Sequence, residues 1–190
     1  MRYMLATEVL KEEHEIILRM LRILNVISVR LKEDKIVDVN VFTRILDFIK
    51  NFVDKCHHSK EENVLFPVLE AHGIPKKEGP IGVMLIEHEY GRKYIKALTD
   101  AVERYYGGEK KAKQEIIDNI TNYVNLLSQH IMKENEILFP MGNEVLHEHE
   151  SAELIERFER IEMEEIGLRK HQEYIRLIND LESAFLYTSS

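Results

Sequence analysis

The chain contains no tryptophan, one cysteine, four prolines and eight glycines in 190 residues. A single cysteine, Cys56, excludes an internal disulfide framework and fits a reducing cytoplasm. Scarcity of Gly and Pro leans towards helix. No run reaches the about 18 consecutive apolar residues of a membrane span. The opening "MRYMLATEVLKEEHE" lacks the unbroken apolar stretch of a signal peptide. Positive charge is also in deficit. The net charge is −8 and the isoelectric point about 5.6, which argues against a general binder of nucleic acid or anionic membranes. Hydrophobic content of 44% is enough to build a core at this length.

Apolar residues recur at helical spacing along most of the chain. Residues 5–31, 39–71, 81–106 and 109–139 read as four helices, and Pro67 is expected to end or kink the second. "AHGIPKKEGP" and "YYGGE" are the clearest breaks. The remainder, residues 143–190, is polar and helical in pattern, with a break near Gly167. It is expected to pack on the rest of the chain or on a partner, and its amphipathic face could support a homodimer.

Two stretches share a skeleton. "CHHSKEENVLFP" and "QHIMKENEILFP" align His57, Glu61, Leu65, Phe66 and Pro67 with His130, Glu134, Leu138, Phe139 and Pro140 at a constant offset of 73. "EEHEIIL" and "IEHEYGR" align Glu13-His14-Glu15 with Glu87-His88-Glu89 at an offset of 74. The first two helices therefore look like the next two. The expected fold is all-α: an up-down four-helix bundle built from a duplicated helix pair over 1–142, with a helical extension over 143–190.

On a helix, positions i and i+4 share a face, so His57 points with Glu61 and His130 with Glu134. His14 and His88 add one imidazole each. Four imidazoles and two carboxylates are costly to bury uncompensated. A metal ion compensates them, and mixed nitrogen and oxygen donors without thiolates suit Fe, Mn or Zn. Six donors are about right for two ions bridged by the carboxylates, with a vacancy for a small ligand. His58 and Glu62 have the same spacing as His57 and Glu61. The repeat favours the latter pair and sets His58, about 100° further round, at the surface or behind the ligands. A small helix rotation would exchange the two registers.

Several residues are weaker candidates. Tyr123 reads as core with a chance of contact behind the ligands. Arg92 reads as a surface residue or as the partner of a carboxylate near the site. Cys56 reads as a small packed residue, and His147 and His149 as solvated. Asp54-x-x-His57 and Glu144-x-x-His147 resemble the Glu-x-x-His pattern of ferritin-like bundles, but no matching lone glutamates repeat, so that fold is rejected.

Together these motifs resemble the hemerythrin family, in particular the hemerythrin-like HHE cation-binding domain, over about Glu8 to Met141. The resemblance implies a four-helix bundle with an oxo- or hydroxo-bridged pair of iron ions held by His14, His57, Glu61, His88, His130 and Glu134. It also implies a small partner: dioxygen, nitric oxide or peroxide. Because there is no flavin or iron–sulfur motif, any reductant is an external electron donor. Dioxygen carriers in the family have five histidines, two of them four residues apart on the third helix; here Met84 stands in that place. Some cluster-repair relatives take the fifth from the end of the first helix, where this chain reads "VRLKEDKI". The expected shell is thus four His and two Glu, with Glu33, Asp34 and His171 as candidates to complete it. This departure weighs against reversible dioxygen carriage and favours redox chemistry or sensing. The alternative is an iron or oxygen sensor whose metal state controls partner binding, and the plainest reading is a structural Zn or Mn bundle.

Overall fold

The structure is a computed structural model and describes residues 4–186, all helix and connecting turns, without strands among them. The described residues form six helices. Helix α1 is Ala6–Lys32 and α3 is Pro80–Tyr106. Helix α2 covers 39–71 and α4 covers 112–145, and both change winding along their length. In α2, α-helical Val39–Phe48 gives way to π-helical Ile49–His58 and Glu61–Leu65 before Phe66–Ala71 closes it. In α4, Ala112–Lys133 is followed by one π-helical stretch, Glu134–Leu138, and then Phe139–Val145. Helices α5 (Glu148–Glu165) and α6 (Gly167–Phe185) form a C-terminal hairpin. None of the described helices is long and apolar enough to cross a membrane.

The π turns explain why neither Pro67 nor Pro140 ends its helix. A proline offers no N–H to the carbonyl four residues earlier, and its ring presses on that carbonyl. A turn bonded i to i+5 widens the coil just where that conflict falls. Pro67 leaves the carbonyl of Asn63 without its α-helical donor, and Arg157 from the hairpin donates to it instead at 3.3 Å. Helix α2 thus runs past Pro67, where the sequence predicted an end or a kink.

Two apolar clusters fill the interior. One holds Ile17, Leu24, Phe52, Ile95, Ile120 and Leu127. The other holds Leu10, Leu65, Phe66, Met84, Leu138 and Phe139. Along each of the first four helices the titratable residues fall between the two, so they form a polar layer inside an otherwise apolar stack. The hairpin spans that layer from outside, against α1 and α2. Leu154 and Phe158 on α5 join the second cluster, and Tyr174, Ile178 and Leu181 on α6 join the first. The bend between α5 and α6 is taken by Gly167 at φ 72°, a left-handed conformation that glycine adopts without steric cost.

Candidate metal centre

His14, His57, Glu61, His88, His130 and Glu134 are all buried and converge on one point. Glu61 lies between the helices with its oxygens divided. Oε1 is 3.5 Å from His57 Nε2 and 3.9 Å from His14 Nε2, while Oε2 is 3.4 Å from His88 Nε2. Glu134 Oε2 is 3.2 Å from His14 Nε2 and 3.3 Å from His130 Nε2. Each carboxylate therefore faces imidazoles from two or more helices.

A seventh donor joins them. His58, expected beside the layer or at the surface, is 4% exposed and groups with Glu61, His88 and His130. Its ring stacks on His88 with centroids 3.8 Å apart. The expected four-histidine shell thus becomes a set of five imidazoles. The cause is the winding of α2. His57 and His58 close a π-helical stretch, in which consecutive residues are rotated less than the about 100° of an α-helix. Neighbours in sequence can therefore face the same centre. The donors fall into two groups that share Glu61: His58, His88 and His130 on one side, His14, His57 and Glu134 on the other.

The orientation of the rings follows from what their outer nitrogens meet. The Nδ1–H of His57 donates to Glu13 at 2.8 Å, and that of His130 donates to Glu87 at 3.0 Å. His88 Nδ1 donates to Glu62 at 2.7 Å, His14 to Asn135 at 2.8 Å and His58 to Asp54 at 3.3 Å. All these partners accept, which places a proton on each Nδ1 and turns five Nε2 atoms inwards. His88 and His130 bring their Nε2 atoms within 3.0 Å of each other. Both oxygens of Glu61 and of Glu134, and Nε2 of His14 and His58, are buried without a hydrogen-bond partner. Buried polar groups are rarely left so. A cation between the two groups would satisfy all of them at once, and nitrogen and oxygen donors suit iron, manganese or zinc.

The supporting contacts recur at the offset of the sequence repeat. Glu13, which accepts from His57, also accepts from Lys60, and Glu87, which accepts from His130, also accepts from Lys133. Phe139 stacks on His14 at 5.5 Å and Phe66 on His88 at 6.1 Å. The acceptors Glu62 and Asn135 follow Glu61 and Glu134 directly. Of these partners Lys60, Lys133 and Asn135 were not singled out from the sequence, although "HxxKE" stands in both motifs and carried the signal of the lysines. Glu62 holds His88 from behind. Arg92 ties this outer ring together, donating to Asp54 at 2.8 Å and to Glu62 at 2.7 Å.

The charges are arranged unevenly. Burial and the nearby Glu134 raise the Glu61 carboxyl well above the usual carboxylate range. Burial pushes Glu134 the same way, but His130 and His14 outweigh it and hold Glu134 well below that range. Burial lowers His57 to about 4 despite Glu13, whereas at His130 Glu134 and Glu87 overcome burial and raise it to about 9.

Other residues lie elsewhere. Asp34 pairs with Lys113, and Glu33 pairs with Lys35 at 2.8 Å, so neither reaches the layer. His171 stops at Glu162, 2.9 Å away. His147 and His149 are exposed. Cys56 is buried, and burial pushes its thiol up to about 12. Tyr123 is buried and lines a cavity of about 300 Å³ between α2 and α3, which His58, Val53 and Gly91 also line.

An all-helical protein with a buried layer of imidazoles and carboxylates, each imidazole held from behind, is built as a metal-binding bundle. The chain belongs to the family of the hemerythrin HHE cation-binding domain, which matches residues 5–142. It is 24% identical over 179 residues to an uncharacterized protein of Mycobacterium tuberculosis, a match covering 94% of this chain and 69% of that one. It is 33% identical over 98 residues to the iron-sulfur cluster repair protein YtfE of Edwardsiella ictaluri, covering 50% of this chain and 43% of the relative. The YtfE of Salmonella schwarzengrund is 28% identical over 86 residues, 44% of this chain and 39% of its own. No solved structure matches the chain significantly.

Proposed function

We propose that this protein is a non-haem di-iron protein that binds or reacts with dioxygen, nitric oxide or peroxide. The observation that carries this reading is the pair of donor groups sharing Glu61, with unpartnered buried atoms facing inwards. In this reading His58, His88 and His130 would hold one iron, and His14 and His57 would hold the other. Glu61 and Glu134 lie between them. The His14–His57 half would have one imidazole fewer, and the small ligand is assigned to it. The contacts that recur at the repeat offset support a four-helix up-down bundle descended from a duplicated helix pair.

Bound iron would supply redox chemistry and open coordination positions. The chain's own residues do the rest. Glu13, Glu62, Glu87, Asp54 and Asn135 fix the imidazoles, and Phe66 and Phe139 keep the layer apart from water. The cavity beside His58 offers a small uncharged ligand an apolar approach. The partial matches to proteins named for iron-sulfur cluster repair favour iron over zinc, and any reducing equivalents would come from an external electron donor.

The test is metal analysis of anaerobically purified protein with optical spectra before and after air, nitric oxide or peroxide. About two irons per chain and charge-transfer bands that respond to one of these ligands are expected. Zinc in place of iron, or no metal, would remove the redox function. A second reading, a sensor whose metal state governs a partner surface, is favoured by one contact: Glu162 of the hairpin reaches Lys60.

A further inference from the structure

The two halves of the polar layer are braced alike, but only one brace is sealed. Lys133, which donates to Glu87, has a side chain 30% exposed; Lys60, which donates to Glu13, has one 1% exposed. Lys60 therefore meets its charge balance inside the protein. Part of that balance comes from beyond the residues that define the family. Glu162 on α5 places Oε2 3.0 Å from Lys60 Nζ, while Oε1 lies 2.9 Å from His171 Nδ1 on α6. Both helices of the hairpin thus converge on one carboxylate, which His171 and Lys60 hold down to about 2 against the effect of burial. Glu13, Cys56 and Glu162 are close enough to suggest another cation site. The ammonium of Lys60 already serves both carboxylates, so no further ion is called for.

The chain of contacts leads to a ligand. Glu162 holds Lys60, Lys60 holds Glu13, and Glu13 accepts the Nδ1–H that orients His57. Removing one member of a buried ion network leaves the rest uncompensated, and partners behind a metal-bound histidine commonly matter ten- to a hundredfold in affinity. We propose that the C-terminal hairpin is a coupling element: seated on α1 and α2, it positions His57 through Glu162, Lys60 and Glu13, so that hairpin docking and metal loading of the His14–His57 half favour each other. The proposal rests on the metal-binding reading. Linkage makes the effect reciprocal: metal in that half holds the hairpin down, and release of the hairpin loosens that metal. The His88–His130 half has no such brace and loads independently of it.

The experiment titrates Fe(II) anaerobically into the full-length protein and follows hydrogen exchange over 148–185. Wild type is expected to take two ions, with exchange in the hairpin slowed on loading. Glu162→Gln should weaken one ion ten- to a hundredfold, spare the other and abolish the slowing, and Glu162→Asp should recover part of both. Tyr174→Phe removes the hydroxyl that reaches Asp47 at 3.0 Å on another part of the hairpin. It trims a hairpin contact remote from Lys60 while Glu162 keeps the hairpin seated, and should leave both ions bound as in wild type. Two ions held with wild-type affinity in Glu162→Gln, equal weakening by Tyr174→Phe, or hairpin exchange indifferent to iron would each overturn the coupling. Failure of wild type to take up Fe(II) would instead bring down the metal reading.

Discussion

His57 and His130 occupy the same place in the sequence repeat, and the fold treats them differently. Both donate from Nδ1 to a glutamate that a lysine also grips. Around His130 the lysine opens to solvent and Glu134 lies 3.3 Å from Nε2, so the imidazole is raised to about 9. Around His57 burial prevails, the neighbouring His14 adds a like charge, and the imidazole falls to about 4. The fifth imidazole sharpens the contrast. His58 has Ile131 as its counterpart one repeat later, so one half gains a donor that the other cannot have. Repeated residues fix the donor types; the winding of the helix and what covers it decide how each half uses them.

The most severe way to break this comparison is to remove what the halves share. Glu61→Ala should lower iron to under a tenth of the wild-type content by metal analysis, because both donor groups lose a carboxylate; near-normal iron would mean that the halves do not share it. Next, His58→Ala and His14→Ala should each leave about one iron per chain instead of two. A full complement in His58→Ala would return that residue to the background and restore the symmetric four-histidine set.

A subtler difference shows in metal-free protein as pH changes. A histidine raised in the folded state stabilises it below the unfolded value of about 6.5, and that contribution is lost as pH rises towards 9. A histidine lowered in the folded state contributes nothing above 6.5 and destabilises as pH falls towards 4. Denaturant midpoints should therefore show His130→Gln losing part of the alkaline decline and His57→Gln part of the acid decline. The same pH profile in both variants would erase the distinction. The smallest effect is expected at Asn135→Asp, which gives His14 the charged acceptor that His88 already has in Glu62. A few-fold gain in Fe(II) affinity of the His14–His57 half should follow, read by anaerobic titration.

The helices and the six repeated donors were legible because helical period and a fixed offset are written in residue order. His58 was not, because turning every residue by one α-helical step places it off the face. Pro67 accounts for the wider turn over Glu61–Leu65, but His58 lies in the earlier stretch Ile49–His58, which no proline marks. The outer acceptors were legible in principle, since Lys60 and Lys133 stand at the same offset as the donors they support. The hairpin's reach to Lys60 was not. Its apolar pattern predicts helices, but the meeting of Glu162 with Lys60 depends on a contact 102 positions apart, and nothing in local spacing encodes it.

Two of the histidines are held crosswise. His14 on α1 relies on Asn135 and Phe139 of α4, and His88 on α3 relies on Glu62 and Phe66 of α2. His57, His58 and His130 are held within their own helix pair, but neither pair contains what keeps its first imidazole, His14 or His88, in place. A cut in the loop over 72–79 would therefore yield two fragments that are each incomplete as hosts. Complementary fragments would recover the site only by reassociating, and two copies of one fragment could do so only to the extent that each offers its twin the missing acceptors.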